Sequence, residues 1–215
     1  MKYSALIKIS AAVLILGACA PEITKGFRKT GKAAVAAQDL YPFWMPQRTH
    51  LFTMKIDFRE HHFSGLLLVK QAGAGYYRMV FNTHFGLGVF DFEFRRGTFL
   101  VHSCLDALHR KSVLNLLEKD FRTLFFLDVE PFANTAVVYH SPADPSLEVN
   151  RINGRYYLKN TTQKTLLKME VPRCFNSGYY DFSHYRDNFP ETMTIKHGGT
   201  GLQIALEKIH NTTGR

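Results

Sequence analysis

Phe90-Asp91-Phe92-Glu93-Phe94-Arg95 alternates aromatic and charged side chains without a break. On a strand successive side chains point to opposite faces, so three phenylalanines share one face and Asp91, Glu93 and Arg95 share the other. Residues 89–95 therefore read as a half-buried strand. The same period extends in both directions from it. Upstream, Phe85-Gly86-Leu87-Gly88 is a turn, and before it residues 76–83 put Tyr77, Met79 and Phe81 on one face and Arg78 and Asn82 on the other. Ala72-Gly73-Ala74-Gly75 is a hairpin signal. Residues 63–70 form a more apolar strand, as expected of one covered on both faces. Phe52, Met54, Ile56 and Phe58 alternate with Thr53, Lys55 and Asp57. Downstream, Gly97 turns the chain into residues 98–102. Five consecutive strands make an antiparallel meander rather than βαβ units.

The period then changes. Val113, Leu116, Leu117, Phe121, Leu124 and Phe125 recur every three or four residues, between Lys111, Asn115, Lys119 and Arg122. This predicts an amphipathic helix that starts near Ser112 as its N-cap. Strands resume at 147–152 and 155–159 around Asn153-Gly154, a hairpin dipeptide. They continue at 163–171, 179–185, 192–196 and 202–208. Residues 33–38, rich in alanine, favour a second, weaker helix, with Phe43-Trp44-Met45 as an apolar loop between Pro42 and Pro46. The expected class is mainly β with α, of about ten strands.

The N-terminus carries a different signal. Lys2 and Lys8 precede a short apolar run, residues 9–16, too short to span a bilayer. Leu16-Gly17-Ala18-Cys19 ends it and matches the bacterial lipobox. This predicts a signal peptide over 1–18, cleavage before Cys19 and lipidation of that thiol. Residues 19–32, with Lys25, Arg28, Lys29 and Lys32, read as a basic tether, and 33–215 as one domain. Ala20 after the cysteine, in place of Asp, favours sorting to the outer membrane.

The formal charge of +9 becomes +7 once Lys2 and Lys8 leave with the signal. A basic lipid-anchored surface suits anionic headgroups or acidic partners; nucleic acid is a poor partner in this compartment. An oxidising compartment permits a bridge between Cys104 and Cys174, but sequence separation does not decide it. His61-His62 point to opposite faces of an extended segment, and no metal-ligand spacing occurs among the ten histidines. There is no nucleophile elbow and no phosphate loop. Asp91 and Glu93 read as part of a solvated, charge-balanced outer face. No catalytic residue, metal or cofactor is expected, and binding is favoured over catalysis.

The stretch from Phe63-Ser64-Gly65 through Tyr76-Tyr77-Arg78 to His84-Phe85-Gly86, together with Pro190-Glu191-Thr192-Met193-Thr194-Ile195, Gly198-Gly199 and Leu202-Gln203-Ile204-Ala205-Leu206, resembles the outer-membrane lipoprotein acceptor family, LolB. With the lipobox the resemblance covers about half the chain. It implies a strongly curved antiparallel half-barrel whose apolar concave face is covered by helices and holds the acyl chains of lipoproteins. It also implies a periplasmic carrier as partner, a place at the periplasmic face of the outer membrane, and a monomer. One exposed apolar turn residue, here Phe85 beside Gly86 and Leu87, would deliver cargo into the membrane. The chain departs from the family in having His84 where Pro is usual, and in lacking the Pro-containing loop and following Trp in its middle region.

The residues argue for a covered face independently. Phe52, Met54, Ile56, Tyr77, Met79, Phe81, Phe90, Phe92 and Phe94 on one sheet face need a cover, which Leu117 and Phe121 of the helix supply. The two faces either meet as a plain core or leave a lipid-sized gap. A lipid or glycolipid binder with other cargo, or a structural envelope-assembly lipoprotein with a filled core, fits the same pattern.

Overall fold

The computed structural model describes residues 21–36, 49–127, 134–173 and 177–210. In chain order they form β1 (Arg28–Val35), β2 (Thr49–Phe58), β3 (His61–Gly73), β4 (Tyr76–Thr83), β5 (Gly88–Arg95), β6 (Thr98–Cys104), α1 (Lys111–Leu124), β7 (Asn134–His140), β8 (Leu147–Ile152), β9 (Arg155–Asn160), β10 (Thr165–Val171), β11 (Gly178–Arg186), β12 (Phe189–His197) and β13 (Leu202–Lys208). A 3-10 turn, Glu22–Thr24, precedes β1.

All thirteen strands join one antiparallel sheet in the order β1-β7-β8-β9-β10-β11-β12-β13-β2-β3-β4-β5-β6. Two meanders, β2–β6 and β7–β13, meet where β13 pairs with β2. The sheet is curved and unclosed, with β1 and β6 as its edges. Register shifts in the β1–β7, β9–β10, β3–β4, β4–β5 and β5–β6 pairs add local bend and twist. The expected half-barrel is the observed fold.

The topology assigns α1 its job. β6 is one edge of the sheet, and β7 is second from the other. The connection between these two strands must therefore cross the sheet, and α1 lies on its concave face. Val113, Leu117, Phe121 and Leu124 are buried there. On one side the Arg122 guanidinium donates to the carbonyls of Arg95 and Thr98 at the β5–β6 hairpin. On the other, Asp120 accepts from Tyr180 of β11 and His197 of β12. One helix thus braces walls that lie six strands apart.

Several sequence expectations need correction. Residues 28–35, divided between a tether and a weak helix, are strand β1; Ala33, Ala34 and Val35 pair with Ala136, Thr135 and Asn134. Alanine's helix preference of a few tenths of a kcal/mol per residue is overridden by an edge that β7 leaves open. β7 itself is a strand that the period-two reading passes over. Among the described residues there are thirteen strands, against about ten expected, and one α-helix covers the concave face rather than several. α1 begins at Lys111 with Arg110 as an N-cap that makes no side-chain bond, so Ser112 lies inside the first turn. β3 is not covered on both faces: Leu66 and Leu68 are exposed on its outer side. Residues 1–20, the Phe43-Trp44-Met45 loop and Cys174 lie outside the described residues. Cys104 carries a free thiol, and burial, then the charge of Asp106, push its pKa up to about 11.

Gly65 marks the tightest point of the sheet. It pairs with Thr83, and a Cβ there would fall 1.9 Å from the Asn82 carbonyl oxygen and 2.6 Å from Thr83 Cα. Both are backbone atoms of a paired strand, so no side chain can yield. Gly65→Ala is expected to cost about 3 kcal/mol by forcing β3 and β4 apart. Urea denaturation checks this; a loss below about 1 kcal/mol contradicts the close approach.

Candidate functional site: an exposed hairpin tip and a plugged concave face

The β4–β5 hairpin tip is held by its own backbone. The Gly86 N–H donates to the Thr83 carbonyl (2.9 Å) and the Thr83 N–H to the Leu87 carbonyl (2.8 Å). The Thr83 hydroxyl accepts from the Leu87 N–H at 3.1 Å. Gly86 sits at φ +83°, the left-handed region that closes such loops. None of these bonds uses the Phe85 side chain. Phe85 is 100% exposed and Leu87 56%. A large aromatic on a fixed turn in water forgoes about 1.5–3 kcal/mol of transfer free energy. Transfer into a bilayer recovers it.

Of the eleven residues expected to line the interior, nine lie on one face of the sheet, and Leu117 and Phe121 are buried on the inner side of α1. Pairings run Leu67–Phe81–Phe90, Val69–Met79–Phe92 and Gln71–Tyr77–Phe94 across β3, β4 and β5. Phe52, Met54, Ile56, Met79, Phe81, Phe90, Phe92, Phe94, Leu117 and Phe121 are at most 1% exposed, and Tyr77 is buried as well. Between β2–β5 and α1 the rings touch. Phe90 stacks on Phe92 at 4.2 Å, and Phe121 lies 5.7 Å from Phe90 and 6.3 Å from Phe94. Phe125 lies 5.9 Å from Phe52. Such offset and edge contacts add about 0.5–1.5 kcal/mol per pair beyond area burial.

The concave face changes character toward the β1 edge. The register places Gly31, Ala33, Val138, His140, Glu148, Asn150 and Lys159 on the same side as the aromatic face. There an open concavity of about 340 Å³ remains, and its side chains are small or polar. Glu148 centres it, bonded to Asn150 Nδ2 (2.7 Å), Lys159 Nζ (3.0 Å) and His140 Nε2 (3.2 Å). Burial raises the Glu148 pKa, but the bonds from Asn150 and Lys159 outweigh it, so the carboxyl titrates below its usual range. No motif in the sequence marks this cluster; the small residues of β1 and β7 are its one signal. A second groove, of about 430 Å³, lies on the convex face between residues 22–27 and β9–β11.

The outer acidic pair of β5 is only half as expected. Asp91 takes a bidentate bond from Arg78, Nε at 2.9 Å and Nη2 at 2.7 Å. Glu93 is not solvated but 3% exposed, beneath Tyr76, Arg95 and His102. The His102 bond, then the Arg95 charge, hold its carboxyl below the usual range against the opposing effect of burial. Each carboxylate is committed to neighbouring groups, which suits a brace between strands.

No known protein family matches the chain, and no curated protein matches it. Among solved structures, a LolA superfamily protein from Nitrosomonas europaea is 12% identical at a TM-score of 0.47, covering 82% of this chain and 93% of that one. A putative outer membrane lipoprotein-sorting protein domain from Vibrio parahaemolyticus is 9% identical at a TM-score of 0.30, covering 83% and 92%.

Proposed function

We propose that this protein is a lipid-anchored, non-enzymatic handler of acylated cargo at the periplasmic face of the outer membrane. It would accept lipoproteins from a periplasmic carrier and pass them into the bilayer. Phe85 carries this reading: a fully exposed aromatic on a backbone-locked hairpin tip has no structural use, and a bilayer gives it one. Cys19 would be the lipidated residue, on the strength of the lipobox. The aromatic concave face would receive acyl chains once α1 shifts, since the rings of Phe90, Phe94 and Phe121 fill the space beneath the helix.

Phe85→Glu tests the delivery step. The side chain makes no contact to lose, so unfolding free energy should stay within about 0.5 kcal/mol of the parent. Transfer of a lipoprotein from a loaded carrier to vesicles should fall about tenfold or more, the rate equivalent of the lost transfer energy. Unchanged transfer by a folded variant sinks the assignment.

The filled interior supports a second reading, an envelope-assembly lipoprotein with a permanent core. Acyl chains that copurify with the soluble domain, or displacement of a fluorescent fatty acid by lipoprotein, favour the carrier. A domain that takes up neither favours the assembly role.

A further inference from the structure

The strand register defines two rims of the sheet. Val171 pairs with Gly178, Gly178 with His197, Leu202 with Phe58, Phe58 with His61, and Gly65 with Thr83. Residues 171 and 178, and the links 198–201, 59–60 and 84–87, therefore lie along one rim, and the 105–110 loop joins it through the Leu105 N–H bond to Val89. The opposite rim holds the turns at 74–75, 96–97, 161–164 and 187–188.

The described N-terminal residues, from Pro21 onward, start at the first of these rims. Glu170, one residue from the rim end of β10 and 4% exposed, accepts the N–H of Ile23 at 2.8 Å and of Glu22 at 3.4 Å. The Pro21 carbonyl accepts from the Thr24 N–H and hydroxyl, which closes the 3-10 turn. From there residues 25–27 run down the convex face to Arg28, which pairs with His140 near the opposite rim. Pro21 is thus clasped to the sheet. Two steps of chain, Cys19 to Pro21, span at most about 7 Å. A free linker over 19–32 would average about 20 Å.

We propose that this clasp fixes the lipidated end of the chain on the rim that carries Phe85, so that a single bilayer meets that rim. This rests on lipidation of Cys19. The rim suits a bilayer surface: the apolar tip of Phe85 and Leu87 stands among exposed Arg59, His84, Arg110 and Lys111, with Glu60, Asp106 and, one residue in from the β2–β3 turn, Asp57 as acidic residues there. Glu170 on β10 and the tip after β4 are six strand spacings apart, about 30 Å along the curved sheet. The protein would stand on the membrane at two separated points, with the opposite rim away from it.

The test uses the full lipidated chain in vesicles of phosphatidylethanolamine and phosphatidylglycerol containing brominated lipid. In a Trp44→Phe background, Phe85→Trp reports the tip and Ala74→Trp the opposite rim. Strong quenching at 85 and none at 74 is expected. Glu170→Ala, and separately ten Gly/Ser residues inserted between Ala20 and Pro21, should reduce quenching at 85 at least twofold. Equal quenching in the parent and both variants overturns the clasp, as does an unquenched probe at 85 on an acylated chain. Mass spectrometry of Cys19 separates the two levels: an unacylated thiol removes the anchor and this proposal together, whereas the other failures leave the anchor standing.

Discussion

Asp120→Ala is expected to destabilise the protein by about 3–5 kcal/mol, a large fraction of the 5–15 kcal/mol typical of a domain. The carboxylate is fully buried on the inner side of α1. Its Oδ1 accepts the Tyr180 hydroxyl at 2.9 Å, and its Oδ2 the His197 Nε2–H at 2.7 Å. Arg173 Nη2 stands 3.9 Å away. Removing the carboxylate leaves a buried phenol and imidazole without their acceptor, and the cost of stranding them exceeds the net worth of the bonds. Burial, then the Asp120 charge, push the Tyr180 pKa far up, so the phenol remains a donor at any working pH. Tyr180→Phe removes one donor and leaves Oδ1 with only Arg173 Nη2 at 3.9 Å, while His197 still holds Oδ2; it strands one atom where Asp120→Ala strands two groups, and should cost about 2 kcal/mol. Urea denaturation of the two variants checks the asymmetry. Equal losses would falsify the view that Asp120 is the hub that ties α1 to β11 and β12.

That hub was partly legible. On the predicted helix, 113, 117, 121 and 124 define the apolar stripe, and position 120 falls on it. An acid on an apolar stripe announces a buried partner, but not which one: Tyr180 and His197 lie 60 and 77 residues away. The strands whose partners are neighbours in sequence were readable, because alternation survives where one face is buried and the other wet. Phe90, Phe92 and Phe94 show this best. β7 was not readable for the opposite reason. Ala136 and Val138 face inward and Val137 and Tyr139 outward, so both faces are apolar or small and no period shows. Its main partner, β1, comes from the far N-terminus, where alanines and lysines suggested a helix and a tether.

The site divides in the same way. Phe85 was visible as an apolar residue next to a turn glycine, and the structure places it fully in water. Which residues share the concave face followed from period two alone. Whether that face is open or filled did not, because the same side chains serve either state. Burial together with ring spacing decides it beneath α1. The polar concavity around Glu148 was hidden, since it is assembled from β1, β7, β8 and β9, whose pairings depend on the missed strands.

Phe121→Ala is expected to lower stability by about 3–5 kcal/mol and, at the same time, to open the interior to apolar probes. Phe121 is fully buried and sits between Phe90, Phe94 and Phe125. It is the side chain through which α1 plugs the aromatic face. Truncation removes a ring volume that β4 and β5 cannot refill, since their backbones are fixed by pairing on both sides. A cavity walled by phenylalanines stays dry and binds apolar guests. The folded fraction of Phe121→Ala should therefore bind a fluorescent fatty acid more tightly than the parent, whereas truncation of Leu68 on the outer face should change neither property appreciably. Stability loss with no gain in probe binding means that the surrounding core collapses into the space. α1 would then be part of a permanent core rather than a cover over a latent acyl site, and the assembly reading would displace the carrier.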